Sequence, residues 1–175
     1  RIAMINKLNK NLVMIFVFIC MTTGIQSTNF HGVVVGIDEY PTDIDYPLPY
    51  CVKDAKDMRN YLKNYQGWNE DNIELMVNDE AIIYSIKNKI DSMPNKNGNS
   101  NLFYFSGHGK PGGIKTYYHI VEPGIIQSSF GNSSYYQFGV IIDACHSGKF
   151  ANEFTRGEIY TACKEDEEAS SGNED

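Results

Sequence analysis

Short apolar runs punctuated by glycine and proline divide this chain into alternating strands and helices. The segment Gly32 to Ile37, with Val33-Val34-Val35 at its centre and Asp38 at its end, predicts a short strand. Its unbroken apolar character suits a parallel sheet covered on both faces. Pro41, Pro47 and Pro49 keep the next stretch extended or turned. From Cys51 to Tyr65, apolar residues at 52, 55, 58, 61, 62 and 65 form a helical stripe with charges opposite, and Gly67 is a stop signal. Ile73 to Val77 predicts the second strand. Ala81 to Met93 predicts the second helix, with Ile82, Ile86 and Ile90 on one face and Pro94 beyond its end.

After an Asn- and Gly-rich loop (95–101), Leu102 to Phe105 predicts the third strand. Tyr117 to Val121 suits a small strand or hairpin arm, and 124–137 is polar and weakly patterned, so the helix after the third strand is expected to be weak or missing. Phe138 to Ile142 predicts the fourth strand and Glu158 to Cys163 the fifth, with no sixth beyond it. Strands and helices alternating at this spacing imply βαβ units and a mainly parallel sheet. There is no internal repeat.

The leading residues break this pattern. Arg1, Lys7 and Lys10 precede ten consecutive apolar residues, Leu12 to Met21, and then small or polar ones through Ser27. A positive head, a short apolar centre and a small-residue exit predict a secretory signal peptide or short membrane anchor over 1–27, and so a secreted or lumenal protein; without a working leader the expectation is cytoplasmic. The run is shorter than the roughly 20 residues of a spanning helix.

At 175 residues with 42% hydrophobic content, the remainder is one globular domain, placed at 28–163. The net charge of −7 is concentrated in 164–175, which contributes −5 and reads as a solvated acidic tail. No basic patch points to nucleic acid. Beyond the leader the cysteines are Cys51, Cys145 and Cys163, an odd number that leaves at least one thiol unpaired. Asn132-Ser133-Ser134 is a glycosylation sequon.

Two strings carry the chemistry: Phe105-Ser106-Gly107-His108-Gly109 and Asp143-Ala144-Cys145-His146-Ser147-Gly148. Each follows an apolar strand and is broken by glycine, so both side chains would emerge at the carboxyl edge of a parallel sheet, where such sheets place ligands. A thiolate attacks carbonyl carbon, and an imidazole can take the thiol proton and return it to a leaving amine. Free amides at Gly109 and Cys145 are the candidates for stabilising an oxyanion. The plain alternatives are a small buried cysteine at a strand end and a satisfied core histidine. A zinc site of His108, Cys145 and His146 lacks a fourth ligand and needs adjacent residues to point the same way. Ser147 lacks the G-x-S-x-G frame of a serine hydrolase.

Together these strings resemble the dyad motifs of caspase-like cysteine peptidases, closest to the metacaspases. The resemblance extends to Val33–Tyr40, to Cys51-x-x-Asp54 and to Trp68–Asp79, and covers roughly residues 30–168. It implies a three-layer α/β/α fold whose C-terminal part is truncated, with the sheet edge at 158–163 open to self-association. It makes His108 the general base or acid, Cys145 the nucleophile, and Asp54, Asp143, Ser106 and Cys51 the primary specificity pocket. Two carboxylates there favour Arg or Lys and repel Asp, so the implied activity is endopeptidase cleavage of protein or peptide substrates after basic residues. Asp54 also suits a helix N-terminus on charge alone.

Legumain-type peptidases are a more distant resemblance, carried by residues 31–35, by Gly107-His108-Gly109 with Pro111-Gly112, and by Thr161-Ala162-Cys163. Their strings have an acidic residue before His-Gly and Glu-Ala-Cys-Glu at the nucleophile, where this chain has Gly107 and His146. A catalytically silent caspase-fold binding module is the contrasting class. Calcium dependence, implied by the metacaspase likeness, finds little support: Glu122 is the only acid between Gly109 and Ile142, and Glu153 is the first after Cys145. No metal or other cofactor is expected.

Overall fold

The computed structural model describes residues 29–41, 46–66, 68–95, 98–130 and 137–169. The expected leader and the Asn132 sequon lie outside them. Among the described residues, five strands form one sheet in the order β2-β1-β3-β7-β8: β1 Asn29–Gly36, β2 Ile73–Val77, β3 Asn99–Ser106, β7 Gln137–Asp143 and β8 Glu158–Thr161. Every neighbouring pair is parallel. A second, three-stranded antiparallel sheet is a small meander of β4 Gly109–Lys110, β5 Gly113–Lys115 and β6 Ile120–Val121.

Helices cover both faces of the main sheet, which is why β1 and β3 read as continuous apolar runs. On one face α1 (Cys51–Gln66) lays Ala55, Met58 and Leu62 against Val34, Leu102, Tyr104 and Ile141, with Trp68 closing the end. The period of three to four residues along α1 is the stripe that the sequence showed. On the other face α2 (Ile83–Ser92), α3 (Pro123–Ser129) and α4 (Gly148–Glu153) contribute Ile86, Ile90, Ile126 and Phe150 to a core with Val33, Val35, Phe103, Phe105, Val140 and Ile142. Alternate strand residues therefore feed different cores, as the pleat requires. The result is the expected three-layer α/β/α arrangement.

Two helices depart from the sequence expectation. The segment where a helix was expected to be weak or missing contains the short α3, which starts with Pro123 in its first turn, a position where the missing N–H costs nothing. Its seven residues bury Pro123, Ile126 and Ser129, too few to display a clear period. Helix α4 was not expected either; it has six residues and is pinned by the fully buried Phe150. Tyr117 to His119 forms a turn, leaving only Ile120–Val121 as a strand. Strand β8 ends at Thr161, and beyond it the Ser147 hydroxyl accepts from the Ala162 and Cys163 amides at 3.1 and 3.2 Å. No described helix is long and apolar enough to cross a membrane.

Candidate active site

The central strands bring the two chemical strings together. β3 and β7 run parallel with Ser106 opposite Asp143, and the Gly107 amide donates to the Asp143 carbonyl at 3.3 Å. His108 and Cys145 each follow that rung by two residues. Neighbouring strands lie ~4.8 Å apart, so both loops leave the sheet at one corner. Beyond the rung the backbones close up further. A Cβ on Gly109 would fall 1.7 Å from the Cys145 carbonyl oxygen and 3.0 Å from its nitrogen. Only glycine allows that approach, which explains the residue after His108.

His108 is almost fully buried, at 6% exposure. Its ring lies between Tyr40, at a centroid distance of 5.0 Å, and Tyr46, which meets it edge-on at 4.8 Å. Its Nε2 is 2.8 Å from the Tyr46 carbonyl oxygen. A carbonyl can only accept, so Nε2 carries the hydrogen and Nδ1 of the neutral ring is the basic nitrogen.

Cys145 is half-buried and, like Cys51 and Cys163, a free thiol. Its Sγ lies 4.0 Å from the Ala169 carbonyl oxygen. The following residue, His146, adopts a left-handed conformation (φ 54°) without being glycine, and ties the loop that carries Cys145 to the chain after β8. Its amide donates to the Glu167 carbonyl at 2.9 Å, and its Nδ1 pairs with the Glu165 carbonyl at 2.9 Å. The Cys163 thiol donates to the same Glu167 carbonyl at 3.1 Å. Thus the side chains of Glu165 to Glu168 are exposed, as expected of the acidic stretch, while their backbone is fastened to the loop that carries Cys145.

The four expected pocket residues also converge. Cys51 opens α1 and Asp54 lies in its first turn; Ser106 and Asp143 end β3 and β7 on the face that α1 covers. The Cys51 thiol is pushed up to about 12, chiefly by burial and then by the nearby carboxylates of Asp38, Asp143 and Asp54. The Ser106 hydroxyl beside the thiol offsets part of that rise. Tyr104, two residues before Ser106 and fully buried, is raised well above the usual phenol range by burial, with Asp143 and Asp54 adding to it. Its hydroxyl lies beside Ser106, yet has no partner of full hydrogen-bond geometry among the described residues. Asp38 accepts from the Val52 amide at 2.9 Å and so caps the head of α1 next to the same cluster.

Several of these groups escaped the reading of the sequence. Tyr104 shares a face with Ser106 by strand alternation, a signal present but hidden by the apolar run. Asp38 looked only like the end of a strand. Tyr40 and Tyr46 lie in a proline-spaced loop with no periodicity. As for metals, no three His, Cys, Asp or Glu side chains among the described residues gather into a group able to hold an ion.

A parallel sheet between helix layers, with a His-Gly turn and a cysteine loop leaving adjacent central strands at one corner, defines a caspase-type domain. The Caspase domain family model matches residues 31–174, and the chain belongs to that family. The crystal structure of protein GSU0716 from Geobacter sulfurreducens is similar in fold, with a TM-score of 0.55 at 17% sequence identity over 75% of this chain. This chain spans 57% of that protein's length. No curated protein matches the sequence.

Proposed function

We propose that this protein is a cysteine endopeptidase of the metacaspase type that cleaves after Arg or Lys, with His108 and Cys145 as its dyad. The observation that carries the reading is the shared Ser106–Asp143 rung, from which both groups depart at equal distance. His108 Nδ1 takes the Cys145 proton, and the thiolate attacks the scissile carbonyl carbon. The oxyanion forms beside the Gly109 and Cys145 amides. Gly109 pairs with Ile114 next to the bonded His108–Lys115 rung, so its own N–H points away from β5 and is not used by the hairpin. Collapse expels the amine, which leaves with the proton from His108, and a thioester remains. Water then gives a proton to His108 and attacks the thioester, releasing the acid and restoring the thiol.

Basic specificity is supported by the carboxylates of Asp54 and Asp143 around the buried Cys51 and Ser106. A guanidinium entering that space meets two negative charges and an unsatisfied Tyr104 oxygen. The run Leu12–Met21 supports delivery to the secretory pathway. No step runs through a metal.

The test uses the full chain with fluorogenic peptides ending in Arg, Lys or Asp. Cleavage of the first two, its loss in Cys145→Ala and its survival in a chelator are the expected results. Properly folded protein that cleaves none of them, and whose Cys145 ignores iodoacetamide, would leave a silent caspase-fold binding module as the correct reading.

A further inference from the structure

Tyr40 connects the candidate base to the body of the fold, and neither dyad string points to it. It follows β1 in a stretch held from the side. The Asn78 side-chain oxygen, on a residue with φ 46°, accepts from the Asp38 and Glu39 amides at 2.9 and 3.3 Å. That fixes where the next residue, Tyr40, can reach. Its ring packs against the core beneath α2 and α3 and tilts at 44° over the His108 imidazole.

The hydroxyl does something else. At a bonded antiparallel rung, two residues exchange two hydrogen bonds. His108 and Lys115 make the first directly, from the Lys115 amide to the His108 carbonyl at 2.8 Å. The return path runs through Tyr40: the His108 amide donates to the Tyr40 oxygen at 2.8 Å, and the Tyr40 hydroxyl donates to the Lys115 carbonyl at 3.3 Å. One oxygen atom is therefore wedged into the ladder at the histidine, and β4 begins only at Gly109. The wedge also needs a glycine before the histidine, since a Cβ on Gly107 would lie 2.7 Å from the hydroxyl.

We propose that Tyr40 is a positioning residue for His108: its hydroxyl holds the histidine backbone one oxygen away from Lys115, and this sets where the imidazole stands relative to Cys145. The proposal rests on the peptidase reading for its effect on turnover, but its geometric core can be examined without it. The phenol transfers no proton to substrate. It acts through the His108 amide, with the ring fixing the imidazole plane.

Tyr40→Phe keeps the ring and removes the oxygen. Three quantities are compared with wild type: turnover of an Arg-ended fluorogenic peptide, the pH profile of Cys145 alkylation by iodoacetamide, and melting followed by the buried Trp68. The expected result is a kcat lower by about 10- to 100-fold with KM within about twofold, a displaced alkylation profile, and a preserved cooperative melt. Should Tyr40→Phe lose that melt, Gly107→Ala disturbs the wedge with Tyr40 in place and should produce the same kcat and alkylation changes. Identical alkylation profiles in wild type and a folded variant overturn the proposal. A wild type that cleaves no peptide, but whose alkylation profile still moves on Tyr40→Phe, overturns the peptidase reading and upholds the wedge.

Discussion

Ser106 and Asp143 face each other on adjacent parallel strands, and each precedes a chemically capable side chain by two residues. That single rung places a histidine and a cysteine at one corner although 37 positions separate them in the chain. It also sets Ser106 and Asp143 beside Cys51 and Asp54 at the head of α1, so the proposed dyad and the proposed specificity residues share one structural origin.

Replacing Cys145 by Ala or Ser should reduce kcat/KM on an Arg-ended peptide by about 10⁴-fold or more, since the nucleophile of a working dyad cannot be shared out. The melting curve should stay near wild type, because the side chain is half-buried and its sulfur makes only a long, 4.0 Å approach to the Ala169 carbonyl. A variant retaining a tenth of the activity would mean that another group attacks.

Asp54→Asn and Asp143→Asn each remove a charge from the pocket while keeping its shape. Each should raise KM for Arg peptides and lower kcat/KM by about 30-fold or more, near 2 kcal/mol, in line with a half-buried charge pair losing one partner. Competition between Arg- and Gln-ended peptides is the direct measurement, and an unchanged ratio would place the selecting charges elsewhere.

Gly109→Ala forces a methyl to within 1.7 Å of the Cys145 carbonyl oxygen. The backbones must separate, which should cost about 3 kcal/mol or more of stability and displace the amide intended for the oxyanion. Denaturant titration and turnover should both fall. Wild-type values in both would mean the two loops are farther apart than described.

Stability above neutral pH should carry the signature of Cys51. An unfolded thiol titrates near 8.5 to 9, whereas the folded one is pushed up to about 12. Between those values the unfolded chain has lost a proton that the folded one keeps, so stability is full below pH 9 and falls as pH rises, by roughly 4 kcal/mol across the interval. Cys51→Ala should flatten that slope in urea titrations at pH 8 and 10. The same burial should keep Cys51 unlabelled at pH 8.5 while Cys145 reacts.

Much of the architecture was legible in the chain alone. Val33 to Val35, Leu102 to Phe105 and Val140 to Ile142 are apolar on both sides of the pleat, which only a doubly covered parallel sheet can accommodate. Ala55, Met58 and Leu62 carry their period openly, and the two Gly-flanked strings announced where strands give way to loops. The short helices α3 and α4 were not legible, because six or seven residues bury only two or three positions and show no repeat. They exist because Ile126 and Phe150 find a core to enter.

The reactive residue types, their strand-end positions and the carboxylates at 54 and 143 were thus determined by the sequence itself. Strand order was not, and strand order is what makes Ser106 a neighbour of Asp143. Only the folded chain could decide that the Tyr46 carbonyl engages His108 Nε2, that Asp38 joins the carboxylates near Cys51, and that a tyrosine hydroxyl interrupts the ladder at His108. The two tyrosine contacts join residues 62 and 68 positions apart through a loop without periodicity, where local preference is silent and packing alone selects the partner.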